Sequence, residues 1–378
     1  MSFEIRINGI PFTLWESATA HRSIDSNSGS FRFTNSSNSP VNSYPVKAGD
    51  FVEILISGVR KVAGFVDDVP GSGDVNLHMV EPFGRDNTSD LIDSSVPDSA
   101  KVTEGPISLK KLCEKVIGSL GAKIKVTQKV DNIAEFTTKD LQAASSGQKC
   151  MEYLVSFARK RQVYLVPDGA GGLVIFRPDI NNKSKTPLLN LKNGKNNNVK
   201  SYSFKRSQQD RFNKYRCRSQ DNFGFDPFAD YSGEGTDRKS EVFDSQIRSS
   251  RYLEIQAEES MDDSTCKERA AEESNIRRAL AKNYTASVAG TTQADGTVWD
   301  FGQYVPIIDE YAQFSGDFLI KEVEYAIDIS GGSRTQLTCV PPDAYQVKAE
   351  PTKESKRSAN TGTSFQSDKP AQQNINLR

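Results

Sequence analysis

Three pairs of adjacent carboxylates, Asp67-Asp68, Glu258-Glu259 and Asp309-Glu310, have the strongest claim to chemistry in this 378-residue chain. Two carboxylates facing each other across a sugar ring would be the acid and the nucleophile or base of a glycoside hydrolase. Neighbours on a strand point to opposite faces, so the pairs read as solvated surface. A metal centre would need clustered ligands, and His21 and His78, the two histidines, lie far apart in strand-like stretches. They read as surface or satisfied side chains. Cys113, Cys150, Cys217, Cys266 and Cys339 are odd in number and lack CxxC spacing, which argues against both a zinc site and a disulfide framework.

Gly71-Ser72-Gly73 sits between two strand-like stretches, where a nucleophile elbow would need a strand followed by a helix, and reads as a hairpin turn. The Gly169 to Gly172 cluster leads into the strand Leu173 to Phe176, so it too reads as a turn and not as a phosphate cradle. The expectation is a chain with no catalytic residue, no cofactor and no metal. One charge bias remains, a basic stretch of Lys192, Lys195, Lys200, Lys205, Arg206, Arg211, Lys214, Arg216 and Arg218 interleaved with Tyr202, Phe204, Phe212 and Tyr215. Nucleic-acid binding is one reading of it. Alternation puts charges on one strand face and aromatics on the other, which favours a half-buried sheet or a charged subunit interface.

Lys plus Arg (48) nearly balance Asp plus Glu (49), so no global field draws the chain to nucleic acid or an anionic membrane. Hydrophobic residues at 36% are sparse, yet 20 Phe and 12 Tyr are too many for a disordered chain, so the composition describes a folded protein with long polar loops. The opening MSFEIRING has no apolar leader, and no run of about 18 apolar residues occurs, so the expectation is a chain made and folded in cytosol without stable membrane insertion.

The elements that must position these residues are mostly strands. Residues 1–83 alternate and turn like an antiparallel barrel-like domain, with Phe3 to Ile7, Phe12 to Trp15, Phe31 to Phe33, Asp50 to Ile56, Val62 to Val69 and Val75 to Val80 as strands. Residues 84–180 read as an α+β domain. Leu109, Leu112, Val116, Ile117 and Leu120 have helical spacing with Gly121 at the C-cap, Ile124 to Val126 is a strand, Gln148 to Arg161 a second helix, and Val163 to Phe176 a hairpin. Residues 181–200 read as a linker and 219–245 as a polar loop, and a third helix runs from about Asp262 to Lys282. Strands return at Val199 to Phe204, Phe212 to Arg218, Tyr284 to Val288, Tyr304 to Ile308, Phe318 to Ile327 and Thr335 to Val340. The expected class is α+β and multidomain. It comprises two antiparallel β-barrel-like domains (1–83, and 181–222 with 284–346), an α+β domain at 84–180, an inserted α+β segment at 223–283 and a flexible tail at 347–378.

The junction Gly84-Arg85-Asp86-Asn87-Thr88-Ser89-Asp90-Leu91-Ile92-Asp93 lies directly after the first strand-rich region. Cys150 to Leu154 with Ala158 to Arg161, the glycine-tipped hairpin, Asp210 to Tyr215, Arg251-Tyr252, Asp295 to Trp299, Phe318 to Val323 and Pro341 to Tyr345 follow. In this order the stretches resemble the Mu-like contractile-tail baseplate hub proteins and the related late control gene D family. Asp300-Phe301 departs from the pattern, since a proline is expected near Trp299.

The resemblance implies a structural virion protein and not an enzyme. It implies a homotrimer imitating six-fold symmetry around a channel through which DNA passes, joining tail tube to central spike within the wedge proteins and assembled in the bacterial cytoplasm. Arg85, Asp90, Asp93, Arg211 and Trp299 are the residues expected to set this architecture. Read without the family, Gly84 and Asp86 belong to a turn, Arg85 and Asp90 form a local ion pair, and Trp299 is a core or interface anchor. A tail-associated cell-wall hydrolase and a glycan-binding module are the alternatives.

Overall fold

A computed structural model describes residues 3–37, 45–74, 78–100, 102, 104–219, 238–256 and 263–345. The N-terminal strands follow the alternation of the sequence: β1 (Phe3–Ile7), β2 (Ile10–Phe12), β3 (Ser17–Ser23), β4 (Ser30–Ser37), β5 (Phe51–Ile56), β6 (Val59–Asp68), β7 (Gly71–Gly73), β8 (His78–Val80) and β9 (Phe83–Asp86). In β1 only Ile5 is fully buried, and in β3 the alternate residues Ala18, Ala20 and Arg22 face inward. Two expectations change. Gly71-Ser72-Gly73 is the strand β7, paired with β8 from Gly71↔Val80 to Gly73↔His78. Gly84 and Asp86 are not in a turn: β9 pairs with β4 on one side and β6 on the other.

The β6–β9 pair demands a glycine. Gly64 stands opposite Asp86, and a Cβ there would lie 1.9 Å from the Arg85 carbonyl oxygen. Backbone cannot move aside as a side chain can, so Gly64→Ala is expected to destabilise by about 1–3 kcal/mol or more. Denaturant titration checks this.

The middle of the chain holds α1 (Ser89–Asp93), α2 (Leu109–Ser119), β10 (Val126–Gln128), α3 (Cys150–Lys160), β11 (Tyr164–Pro167) and β12 (Leu173–Phe176). Ser108 caps α2 by accepting from the Lys111 N–H, and Gly121 follows its end at φ +70° as the sequence requires. Leu112, Val116, Leu154 and Phe157 fill the core between the two helices and the β10-β12-β11 sheet. The expected strand from Ile124 begins instead at Val126, which pairs in parallel with Leu173.

The last part contains β13 (Leu188–Asn190), β14 (Val199–Arg206), β15 (Lys214–Ser219), β16 (Arg238–Phe243), β17 (Tyr252–Gln256), α4 (Asp263–Leu280), β18 (Lys282–Ala289), β19 (Tyr304–Asp309), β20 (Phe314–Asp328) and β21 (Gly332–Val340). The 181–200 stretch is more than a linker: its Leu188 is fully buried, and β13 pairs in parallel with β19. Within 219–245, β16 joins β15 and β17 in a three-stranded sheet, and α4 covers that sheet through Cys266 and Ala270.

The architecture is α+β, dominated by sheet. The large sheet runs as an open path from β14 through β18, β21, β20, β3, β4, β9, β6 and β5 to β1 and β2, and no closed circuit of strand pairs occurs among the described residues. β20 is the shared strand. One edge pairs along its length with β21, whereas the other holds β19 over Phe314 to Leu319 and then β3 over Glu322 to Asp328. A register shift between Ile320 and Glu322 separates the two halves. Ile5, Phe31 and Val62 from the first half and Val323, Tyr325 and Leu337 from the second lie in one continuous core.

Candidate functional site: a buried charged joint

The strands bring together three charged side chains that lie far apart in the chain. Arg22 on β3 and Lys61 on β6 point at Asp300, which follows the buried Trp299. Arg22 Nη1 donates to both Asp300 carboxylate oxygens at 2.8 and 2.7 Å, and Lys61 Nζ donates to Oδ2 at 2.8 Å. The two cationic side chains are 5% and 7% exposed, so their charges have left water and depend on this carboxylate.

The remaining contacts tie the joint to further elements. Arg22 Nη2 donates to the Pro167 carbonyl at 2.9 Å, at the end of β11, and the guanidinium lies 4.7 Å from the Phe301 ring centroid. The β11–β12 hairpin tip sits on β6, where a Cβ on Gly169 would come within 2.8 Å of the Lys61 carbonyl. Tyr325 on β20 donates its hydroxyl to the Trp299 carbonyl.

Electrostatics follow burial. Burial would raise the Asp300 carboxyl, but Arg22 and then Lys61 outweigh it and hold it below the usual carboxylate range. Burial lowers the Lys61 ammonium, against the pull of Asp300. Beside the joint, Asp86 is fully buried, and burial pushes its carboxyl up to about 7, with Asp168 adding to the rise and Arg22 opposing it. Asp86 accepts from the Thr88 and Ala63 N–H groups at 3.2 and 3.4 Å and from the Thr88 hydroxyl at 3.4 Å.

Of the five residues expected to set the architecture, Trp299 lies at this joint. Arg85 points outward from β9 and binds Asp67 and Asp93, each at 2.7 Å. The expected partner Asp90 is not in that pair; its backbone carbonyl instead accepts the Ser94 N–H closing α1. Since these carboxylates are partly exposed, Arg85→Ala is expected to cost no more than about 1 kcal/mol, and less at high salt, in denaturant titrations. Arg211 lies apart from the joint, bound to Asp244 at 2.7 Å and Gln246 at 2.8 Å beside the β16-β15-β17 sheet.

Three family models match in succession. Residues 2–86 match the N-terminal domain of Mu phage baseplate assembly protein GpP-like chains. Residues 88–177 match the second domain of gp44-like baseplate hub proteins, and 263–348 the fourth domain of Mu phage GpP. The chain belongs to the Mu-like baseplate hub family. It is 25% identical over 359 residues to the baseplate hub protein gp44 of Escherichia phage Mu, covering 92% of this chain and 89% of that one. Among solved structures it is similar to the 43 kDa tail protein of prophage MuSo2 from Shewanella oneidensis, with TM-score 0.77, 25% identity, and 92% and 100% of the two chains covered. A tail protein from Neisseria meningitidis MC58 shares the fold at 17% identity and TM-score 0.76, over 91% and 97% of the chains.

Arg22 and Lys61 of the hub chain thus come from the first matched domain, Pro167 from the second and Asp300 from the last. The joint is where all three meet. Sequence reasoning missed it, although Asp300 stood out as a departure from the family pattern.

The hub chain's other candidate residues take structural places. Asp309 is buried, not solvated: it accepts from the Tyr284 hydroxyl at 2.7 Å, the Asn190 amide at 2.9 Å and the N–H groups of Tyr311 and Ala312. Glu310 accepts the Lys192 N–H at 2.6 Å, Asp67 is held by Arg85, and Glu258-Glu259 lies outside the described residues. His21 meets Glu322 at 2.8 Å, all five cysteines are buried and unpaired, and no group of three metal-capable side chains occurs among the described residues. The expected alternation of the basic stretch holds on β15, which buries Tyr215 and Cys217, and fails on β14, whose residues after Val199 are all exposed. No described helix is long and apolar enough to cross a membrane.

Proposed function

We propose that this hub chain forms a homotrimeric ring imitating six-fold symmetry, joining the tail tube above to the central spike below, with wedge proteins outside and DNA passing through its channel. The observation that carries the reading is β20, one strand shared by the two strand-rich halves of the large sheet, which it joins in each copy. Three such copies would present six similar segments, each half acting as a barrel-like unit. The proposed units are 1–83, 84–180, 181–222 with 284–346, the insertion 223–283 and the tail 347–378.

Closure of the ring also suits the open sheet path. The strand-rich halves at its two ends differ, and unlike surfaces that meet head to tail generate a closed ring when the rotation permits. The work of such a protein lies in interface area and rigid joints, with no reacting group and no cofactor. Assembly would take place in the host cytoplasm before release in the virion.

Light scattering of the full chain across a dilution series, with negative-stain averages of the main peak, tests the reading. A particle of three times 41.8 kDa with a central hole supports it. A monomer at every concentration sinks it, and turnover of peptidoglycan would replace it with the hydrolase.

A further inference from the structure

The outer edge of β14 is built to receive another strand. Among the described residues β14 pairs with β18 alone, so from Lys200 onward the main-chain groups along its other side form an open edge, with a register shift next to Lys200, whereas the preceding Asn198 N–H donates to the Leu189 carbonyl. Tyr202 and Phe204 share one face, 39% and 47% exposed, although each ring packs inward on Tyr284 or Phe314. Lys200 and Lys205 are exposed and make no ion pair within the described residues. Lysines on an edge repel a second copy of the same edge, and they leave it open to an acidic strand.

The chain contains a segment of matching chemistry. Residues 220–237, outside the described part, carry five carboxylates, four aromatic rings and no Lys or Arg, with Phe223 to Tyr231 the densest stretch. They follow Ser219, the last residue of β15, in the chain. We propose that β14 docks the acidic, aromatic segment 220–237 of a second copy, a contact that rests on the ring reading and specifies one of its interfaces. Extended main chain would pair with the open edge, carboxylates would meet Lys200 and Lys205, and rings would pack beside Tyr202 and Phe204.

The test uses the full chain and a synthetic peptide of residues 220–237. Lys200→Glu with Lys205→Glu is expected to raise the concentration at which the assembly dissociates at least tenfold while leaving thermal melting of the dissociated chain unchanged, since both side chains are exposed and make no ion pair among the described residues. Adding Asp226→Lys and Asp230→Lys to the same chain should restore assembly. Excess peptide should bind the wild-type chain, dissolve its assembly and fail to bind the Lys200→Glu, Lys205→Glu chain. Assembly indifferent to both the reversal and the peptide would overturn the contact and leave the ring standing. Reversal that alters hydrogen exchange along β14 without changing the mass would overturn it in favour of the chain's own segment. A chain monomeric at every concentration sinks the ring, and lysine-dependent peptide binding then decides the edge by itself.

Discussion

Asp300→Ala is expected to destabilise the hub chain by about 3–5 kcal/mol, because it leaves Arg22 and Lys61 buried without their counter-charge. The loss would exceed that of any exposed ion pair in the chain, Arg85 with Asp67 and Asp93 included. Replacing Arg22, Lys61 and Asp300 together by apolar residues of similar volume should recover most of the stability, since the desolvation cost disappears along with the pairing. Urea titration of the three proteins distinguishes the cases. A single Asp300→Ala costing under about 1 kcal/mol would mean that water reaches the joint and screens it. Acid should reproduce part of the effect. Asp300 has its carboxyl held below the ordinary range, so its stabilisation is present above the unfolded carboxylate range and is lost as pH falls through the lower folded value.

Asp86 should show the opposite pH dependence. Its folded carboxyl titrates at about 7, above the ordinary value of 3.8, so between these values the folded chain holds a proton that the unfolded chain has released. Its contribution is complete below the unfolded value and is lost as pH rises through the folded one. Three units at about 1.4 kcal/mol each put the loss at about 4 kcal/mol between pH 4 and 7.5. Asp86→Asn removes the ionisation and keeps the shape. The stability of wild type minus that of the variant should therefore fall by that order as pH rises, whatever the other carboxylates do. A difference that stays flat would place a compensating cation, Arg22 being the nearest candidate, fully on Asp86.

Much of the fold was legible because local pattern and burial agree. Alternation in Phe3 to Ile7 and Asp50 to Ile56, the helical spacing from Leu109 to Ile117 and the Gly-rich tip before Leu173 all became the elements they suggest. The missed strands have their partners far away. β13 and β17 are short and polar in context, and they exist through pairing with β19 and β15. β7 carries a turn's residues, Gly-Ser-Gly, in a strand's position. The joint was invisible for a related reason: residues 22, 61 and 300 have no spacing to read, and an isolated Arg or Lys in an alternating strand looks like surface. Asp309 misled differently, since an acidic pair at a strand end does put one carboxylate outward while the other turns in to bind Tyr284.

The pairing of β3 with β20 also governs when the chain can fold. Ser23 stands opposite Glu322 and Ser17 opposite Asp328, contacts that span about 300 residues of chain. On the ribosome the first half must wait, with one flank of β3 unpaired, until β20 has emerged. Non-local closure of this kind is slow and exposes a sticky flank in the meantime. Chains released prematurely before β20 should therefore aggregate and not accumulate as soluble N-terminal fragments, which keeps incomplete subunits out of the growing particle.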